Sequence, residues 1–160
     1  MPEASPARVV ADADVLAADL LCGDVSGNAA RVALDHVRQH SWVSLVASDP
    51  LLDDAQTVIE SLADESLAAG WRERIERERT TVDHPDGDHP ALASAYRGGA
   101  AHLLTYDEGL RSASTGASLR SHMSVSVRAP DAFARLFDPE SLYEAVEGGS
   151  YPGPDRDPRA

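Results

Sequence analysis

Along the chain, short apolar runs alternate with longer stretches whose apolar residues recur every three or four positions. Arg8–Ala13 carries the pair Val9-Val10, the signal of a buried strand, and ends in acids. Val15–Leu21 reads as a helix, broken by Gly23 and Gly27. Asn28–Gln39 is amphipathic, with Val32, Leu34 and Val37 among its apolar positions. Trp42–Ala47 predicts a second strand. Ser48-Asp49-Pro50 is a helix start, since a Ser or Asp cap precedes a proline in the first turn, and this helix runs to Leu62. Asp64 caps the next helix, which runs to Arg79, and Thr80–Val82 is a short extended piece. Asp83–Gly87 is a turn cluster, and residues 88–97 form a helix stopped by Gly98-Gly99. His102–Thr105 is a third strand leading to Asp107, residues 112–122 are a Ser-rich loop, and Ser124–Val127 is a fourth strand. Ala129–Phe137 and Pro139–Val146 are terminal helices.

Strands alternating with helices predict an α/β fold. The expectation is a three-layer α/β/α domain with a central, mainly parallel sheet of four or five strands. Residues 1–7 read as a flexible arm, 8–146 as the domain, and 147–160 as a flexible Pro/Gly-rich tail without an apolar face. Val9, Val10, Leu103, Leu104, Val125 and Val127 are the expected core of the sheet.

Composition sharpens this picture. Aromatics make up only 5% of the residues, so the core is left to Val, Leu, Ile and Ala. Cys22 is the single cysteine, which excludes a disulfide framework or a Cys-based zinc site within one chain. No apolar run approaches the roughly 18 residues of a membrane span, and the N-terminus lacks a signal-peptide pattern. The expected location is the cytoplasm. The net charge is −13 and lysine is absent, so every basic residue apart from histidine is an arginine. We read this as the acidic surface of a halophilic, haloarchaeal protein, the alternative being simply an acidic protein from a GC-rich genome. At ordinary salt such a charge opposes nucleic-acid binding, because phosphates are repelled. In molar salt the Debye length is only about 3 Å, and local chemistry decides.

The local chemistry is acidic. Ligands of parallel α/β sheets sit at the carboxyl ends of the strands. Val9-Val10-Ala11 leads into Asp12-Ala13-Asp14, and Leu103-Leu104-Thr105 leads into Tyr106-Asp107. On neighbouring strands these acids converge, and a divalent cation relieves their repulsion. Carboxylate and water ligands suit Mg²⁺ or Mn²⁺, which activate water and stabilise phosphoryl charge. The competing explanation is that strand-ending Asp residues are ordinary turn formers and helix caps.

Several segments in order resemble the PIN-domain ribonucleases. Val9-Val10-Ala11-Asp12-Ala13-Asp14-Val15-Leu16 is similar to the opening motif, and Ser48–Ile59 to the helix with the second acid. Asp88–Tyr96 looks like the helix with the third acid. Ala100–Leu110, with Thr105-Tyr106-Asp107, is the best match, and Ser124–Phe137 resembles the late strand and helix. The resemblance covers residues 8–140 and implies a metal-dependent endoribonuclease acting on single-stranded RNA. Its catalytic acids would be Asp12, Asp54, Asp88 and Asp107. Asp12, Asp14, Asp88 and Asp107 would surround the Mg²⁺ or Mn²⁺, and Thr105 would orient Asp107 or a bound water. Two departures stand out. Asp14 replaces the usual Asn, and the second acid, usually Glu, is Asp54, with Asp53 or Glu60 as substitutes. The resemblance also admits a catalytically inactive PIN-like module that binds RNA or protein, an antitoxin-like protein partner, and a homodimer. The dimer seam would use Phe133, Leu136, Phe137, Leu142, Tyr143 and Val146 unless these rings are buried internally.

Other readings are weaker. Asp12-x-Asp14 also resembles the haloacid-dehalogenase phosphotransferases, but their usual lysine is missing and Leu16 stands where Thr or Val is common. His36 and His40 lie one turn apart, yet Val37 follows where a zinc HExxH motif needs Glu, so a solvated pair is expected. Arg72–Glu76, Glu73–Arg77 and Arg74–Glu78 are self-neutralising i,i+4 pairs rather than an RNA-facing stripe. Arg111 and Arg120 beside the Ser-rich loop are the better phosphate-contact candidates.

Overall fold

The computed structural model describes residues 4–22, 28–83, 89–111 and 125–159. In chain order the elements are β1 (Ser5–Ala11), α1 (Ala13–Leu21), α2 (Ala29–Arg38), β2 (Ser44–Ala47), α3 (Asp49–Leu62) and α4 (Glu65–Glu78). There follow β3 (Thr80–Thr81), α5 (Pro90–Gly98), β4 (Ala100–Leu104) and α6 (Glu108–Arg111). The chain then forms β5 (Ser126–Arg128), α7 (Pro130–Leu136) and α8 (Pro139–Val146). The five strands form one sheet in the order β3-β2-β1-β4-β5, and every pairing is parallel. Helices flank this sheet to give a three-layer α/β/α fold. Right-handed crossovers put the helices between β1 and β3 on one face and α5, which carries the chain back from β3 to β4, on the other.

Side-chain chemistry sets the helix starts. Asp12, Asn28, Ser48, Asp64 and Asp138 each accept a backbone N–H at the start of the following helix. Pro50 and Pro90 occupy first turns, where the missing N–H costs nothing. Val9, Val10, Leu103 and Leu104 are fully buried beside Leu16, Leu34, Leu51, Leu52 and Ile59. Val125 and Val127 are only half-buried, because β5 is an edge strand with a neighbour on one side alone. The strand itself starts two residues later and ends one residue later than expected, over Ser126–Arg128.

Helix α5 packs closely on the sheet at Gly98, where an added Cβ would overlap the Val46 Cγ1 on β2. Gly99 then ends the helix with a left-handed φ of 62°. Gly98→Ala should therefore destabilise the fold by about 1–3 kcal/mol through overpacking. Urea unfolding measures this, and an unchanged midpoint would show that the seam relaxes freely.

Two segments behave differently from their sequence expectation. Residues 147–159 have specific partners. The Tyr151 hydroxyl lies 2.6 Å from His40 Nε2, Asp155 accepts from the Ser41 backbone N–H at 2.8 Å, and Arg159 pairs with Asp35 at 2.7 Å. These contacts are polar, which is why an apolar face was not needed. His40, expected to be solvated, is buried, and His36 stacks on Phe137 with ring centroids 4.7 Å apart. Phe133 is buried, packing against Phe137 and edge-on against His102. Tyr143 packs against Trp42 and Tyr151. The C-terminal rings thus close the domain internally, leaving Leu136 and Val146 as its exposed apolar residues in α7 and α8. On α4, Arg72–Glu76 and Arg74–Glu78 pair as expected, while Arg72 also reaches Asp53 and Asp49 on α3. Among the described residues, no helix is long and apolar enough to cross a membrane.

Candidate functional site

The strand order makes β1 and β4 the pair from which the chain departs in opposite directions. Their carboxyl ends therefore border the crevice where sheets of this kind take ligands. Asp12 follows β1, and its backbone N–H donates to the Leu104 carbonyl of β4 at 2.8 Å. That bond holds the ends of the two strands level. Thr105 follows β4 and is completely buried. Its hydroxyl donates to Asp12 Oδ2 at 2.9 Å and accepts from the Asp107 backbone N–H at 3.0 Å. One threonine thus ties the two acids into a single unit.

Each acid is also held by the helix beyond it. Asp12 Oδ1 accepts from Ala13 N at 2.8 Å and caps α1. Asp107 Oδ1 accepts from Gly109 N at 2.8 Å and from Leu110 N at 3.3 Å, fixing the first turn of α6. Helix N-termini favour negative charge, which partly offsets the mutual repulsion of these carboxylates. Asp14 lies in the first turn of α1, and its Oδ2 accepts from Tyr106 N at 3.1 Å. Its Oδ1 is buried and has no hydrogen-bond partner among the described residues. Burial, then the charges of Asp12 and Asp107, push the Asp14 carboxyl above the usual carboxylate range, despite backbone hydrogen bonds that pull it down.

This shift has a sign. In the metal-free protein, the stability linked to Asp14 is fully present below its unfolded value of 3.8 and is lost as pH rises through the raised folded value. Asp14→Asn removes the repulsion, so the variant should melt above the wild type at neutral pH in EDTA. The gain should shrink on acidification. A gain that stays constant with pH would show that the Asp14 charge is not the cause.

Of the sequence-predicted residues, the fold brings together Asp12, Asp14, Thr105 and Asp107. Asp88 lies outside the described residues, as do Arg120 and the Ser-rich loop; its neighbour His89 caps α5 through Nδ1. Asp54 is exposed on α3 and has no hydrogen bond or ion pair among the described residues. Asp53 is engaged by Arg72 at 2.7 Å, and Glu60 is exposed. Among the described residues, Asp12 and Asp107 are the charges that raise the Asp14 carboxyl. Tyr106 was not singled out by the sequence. It follows Thr105, its backbone N–H donates to Asp14, its ring is partly exposed, and burial followed by the Asp14 charge raises its phenol.

Among the described residues, no three His, Cys, Asp or Glu side chains are gathered tightly enough to enclose a metal ion. Mg²⁺ does not require such a cage, since it keeps several waters and is commonly held by one or two carboxylates. The donor set fits that mode, because Asp14 offers a buried oxygen without a partner beside two further carboxylates. No curated protein and no solved structure matches the chain. Residues 3–159 match a family described as "Family of unknown function (DUF7384)", and with nearly its whole length covered the chain belongs to that family.

Proposed function

We propose that this chain is a PIN-like, metal-dependent endoribonuclease that hydrolyses phosphodiester bonds in single-stranded RNA. The observation that carries the reading is the buried, unpartnered Asp14 oxygen beside Asp12 and Asp107 at the crevice between β1 and β4. Asp12, Asp14 and Asp107 would hold Mg²⁺ or Mn²⁺, with Asp88 and Asp54 as the further acids that the family resemblance suggests. The cation would activate water and stabilise charge on the phosphoryl group. Thr105 is a positioning residue, since its hydroxyl fixes one oxygen of Asp12 and orients the Asp107 backbone. The acidic, lysine-free surface supports a halophilic setting, in which high salt screens the repulsion between RNA and a chain of net charge −13. The test is cleavage of mixed single-stranded RNA at high salt with Mn²⁺, against the same protein in EDTA. Cleavage that needs the metal is expected, and its absence across RNA sequences would overturn the reading.

A second reading has its own support. Asp12 and Asp107 already serve as helix caps, and Asp54 is exposed with no side-chain partner among the described residues. A PIN-like module without catalysis, binding RNA or a protein partner, would keep these contacts and bind no metal. Metal affinity separates the two readings.

A further inference from the structure

Among the described residues, the half-buried arginines have partners, with one exception. Among the described residues, Arg31 and Arg38 pair with Asp19, Arg72 with Asp53, and Arg79 with Asp49. Arg128 is half-buried too, yet among the described residues its guanidinium has no hydrogen-bond or ion-pair partner, and its Nε is shielded from solvent. In a chain carrying 27 acidic side chains against 14 basic ones, a half-buried arginine left without a carboxylate is conspicuous. An unpaired, partly desolvated charge costs stability, so its retention asks for a reason.

Its position supplies one. Arg128 is the last residue of β5 and stands opposite Leu104 in the parallel register. Its carbonyl accepts from Thr105 N at 2.9 Å, and the Leu104 carbonyl accepts from Asp12 N at 2.8 Å. Asp12, Leu104-Thr105 and Arg128 therefore form one row across the carboxyl edge of the sheet. Two strand spacings separate the ends of that row, about 10 Å. The row places Arg128 two strands from Asp12 on the carboxyl edge of the sheet that bears the acids. Its charge is felt locally, since burial and then Arg128 hold the His102 imidazole below its ordinary value. Acids with a divalent cation can engage one phosphate of a chain. The neighbouring phosphates still meet an acidic protein, and a guanidinium at the rim is the group that would hold one.

We propose that Arg128 binds a backbone phosphate of the nucleic acid engaged at the Asp12–Asp107 crevice. This rests on the ribonuclease reading above, and the test separates the two. Binding of a short fluorescein-labelled oligouridylate is followed by anisotropy over a salt series with Mg²⁺ present. Asp12→Asn protein is used so that the probe is not consumed, and it is compared with Asp12→Asn carrying Arg128→Gln or Arg128→Lys. Arg128→Gln should raise Kd about tenfold. The slope of log K against log salt should become shallower by about 0.7, the effect of one phosphate contact on a single strand. Arg128→Lys should restore the slope. Thermal melting of Arg128→Gln alone should be no lower than wild type, since an unpaired charge has been removed. If wild-type protein cleaves RNA while Arg128→Gln leaves both Kd and slope unchanged, the phosphate contact is wrong and the nuclease reading stands. A lower Tm with unchanged affinity would mark Arg128 as a structural group and overturn the proposal. If the wild type does not cleave and the Asp12→Asn protein binds no RNA, both fall.

Discussion

Asp12→Asn should lower RNA cleavage at least about a hundredfold while leaving the fold intact. Asparagine is among the best helix caps, so the bond from Ala13 N to the side-chain oxygen can survive. What is lost is one negative charge and one acceptor, because an amide NH₂ in the place of Oδ2 cannot take the Thr105 hydroxyl hydrogen. Metal ions contribute several kcal/mol to stabilising charge in phosphoryl chemistry, and about 1.4 kcal/mol corresponds to tenfold in rate. Weakening the cation's hold on that scale predicts the hundredfold loss. The check is initial-rate cleavage of single-stranded RNA with Mn²⁺ at high salt, alongside circular dichroism to verify folding. Equal rates in both proteins would place the activity at another site or in a contaminant.

The largest effect on stability should come from Asp19. This side chain is buried between α1 and α2, where Arg38 takes it with two guanidinium nitrogens and Arg31 approaches at 3.6 Å. For Arg38, burial opposes the charge, but hydrogen bonds and attraction from Asp19, joined by Asp35 and Glu78, outweigh it and raise the guanidinium above its ordinary value. Asp19→Ala leaves that guanidinium in the interior without its main partner. Removing one member of a buried pair costs about 3–5 kcal/mol, or roughly 10 °C in Tm for a domain of this size. Replacing both, as Asp19→Leu with Arg38→Met, should recover most of the loss, since neither charge is then stranded. Calorimetric melting at one fixed salt concentration measures both variants. A single variant within about 2 °C of wild type would mean that solvent reaches the seam.

The sequence carried the α/β fold class with its parallel sheet, and it put acids at the carboxyl ends of two strands. Asp12 and Asp107 were legible because an apolar run that stops at an acid puts that acid at the edge of the sheet. Their lying on adjacent strand ends was expected from the acids, and β1 does pair with β4, although strands far apart in sequence are paired by packing rather than by any local signal. Thr105 was expected to orient Asp107 or a bound water, but its bond to Asp12 emerges only when β1 lies beside it. Arg128 was invisible for a related reason, because an arginine reads as unpaired only once every nearby carboxylate has been placed. The second acid shows the opposite limit. Asp54 matches a spacing, yet on α3 it faces solvent between the buried residues Leu51, Leu52 and Ala55. Residues 147–159 read as loose because sequence patterns report apolar burial. The bonds from Tyr151, Asp155 and Arg159 to the end of α2 and the turn after it leave no such trace.

Titration of Mn²⁺ into the metal-free protein by isothermal calorimetry bears most directly on whether this acidic crevice is a metal centre. Saturable binding is expected for the wild type, strongly weakened in Asp12→Asn and in Asp14→Asn. The affinity should also fall on acidification, because the raised Asp14 carboxyl takes up a proton more readily than an ordinary aspartate and so competes with the cation. A wild-type protein that binds no Mn²⁺, or one whose binding is untouched by both substitutions, would contradict the account.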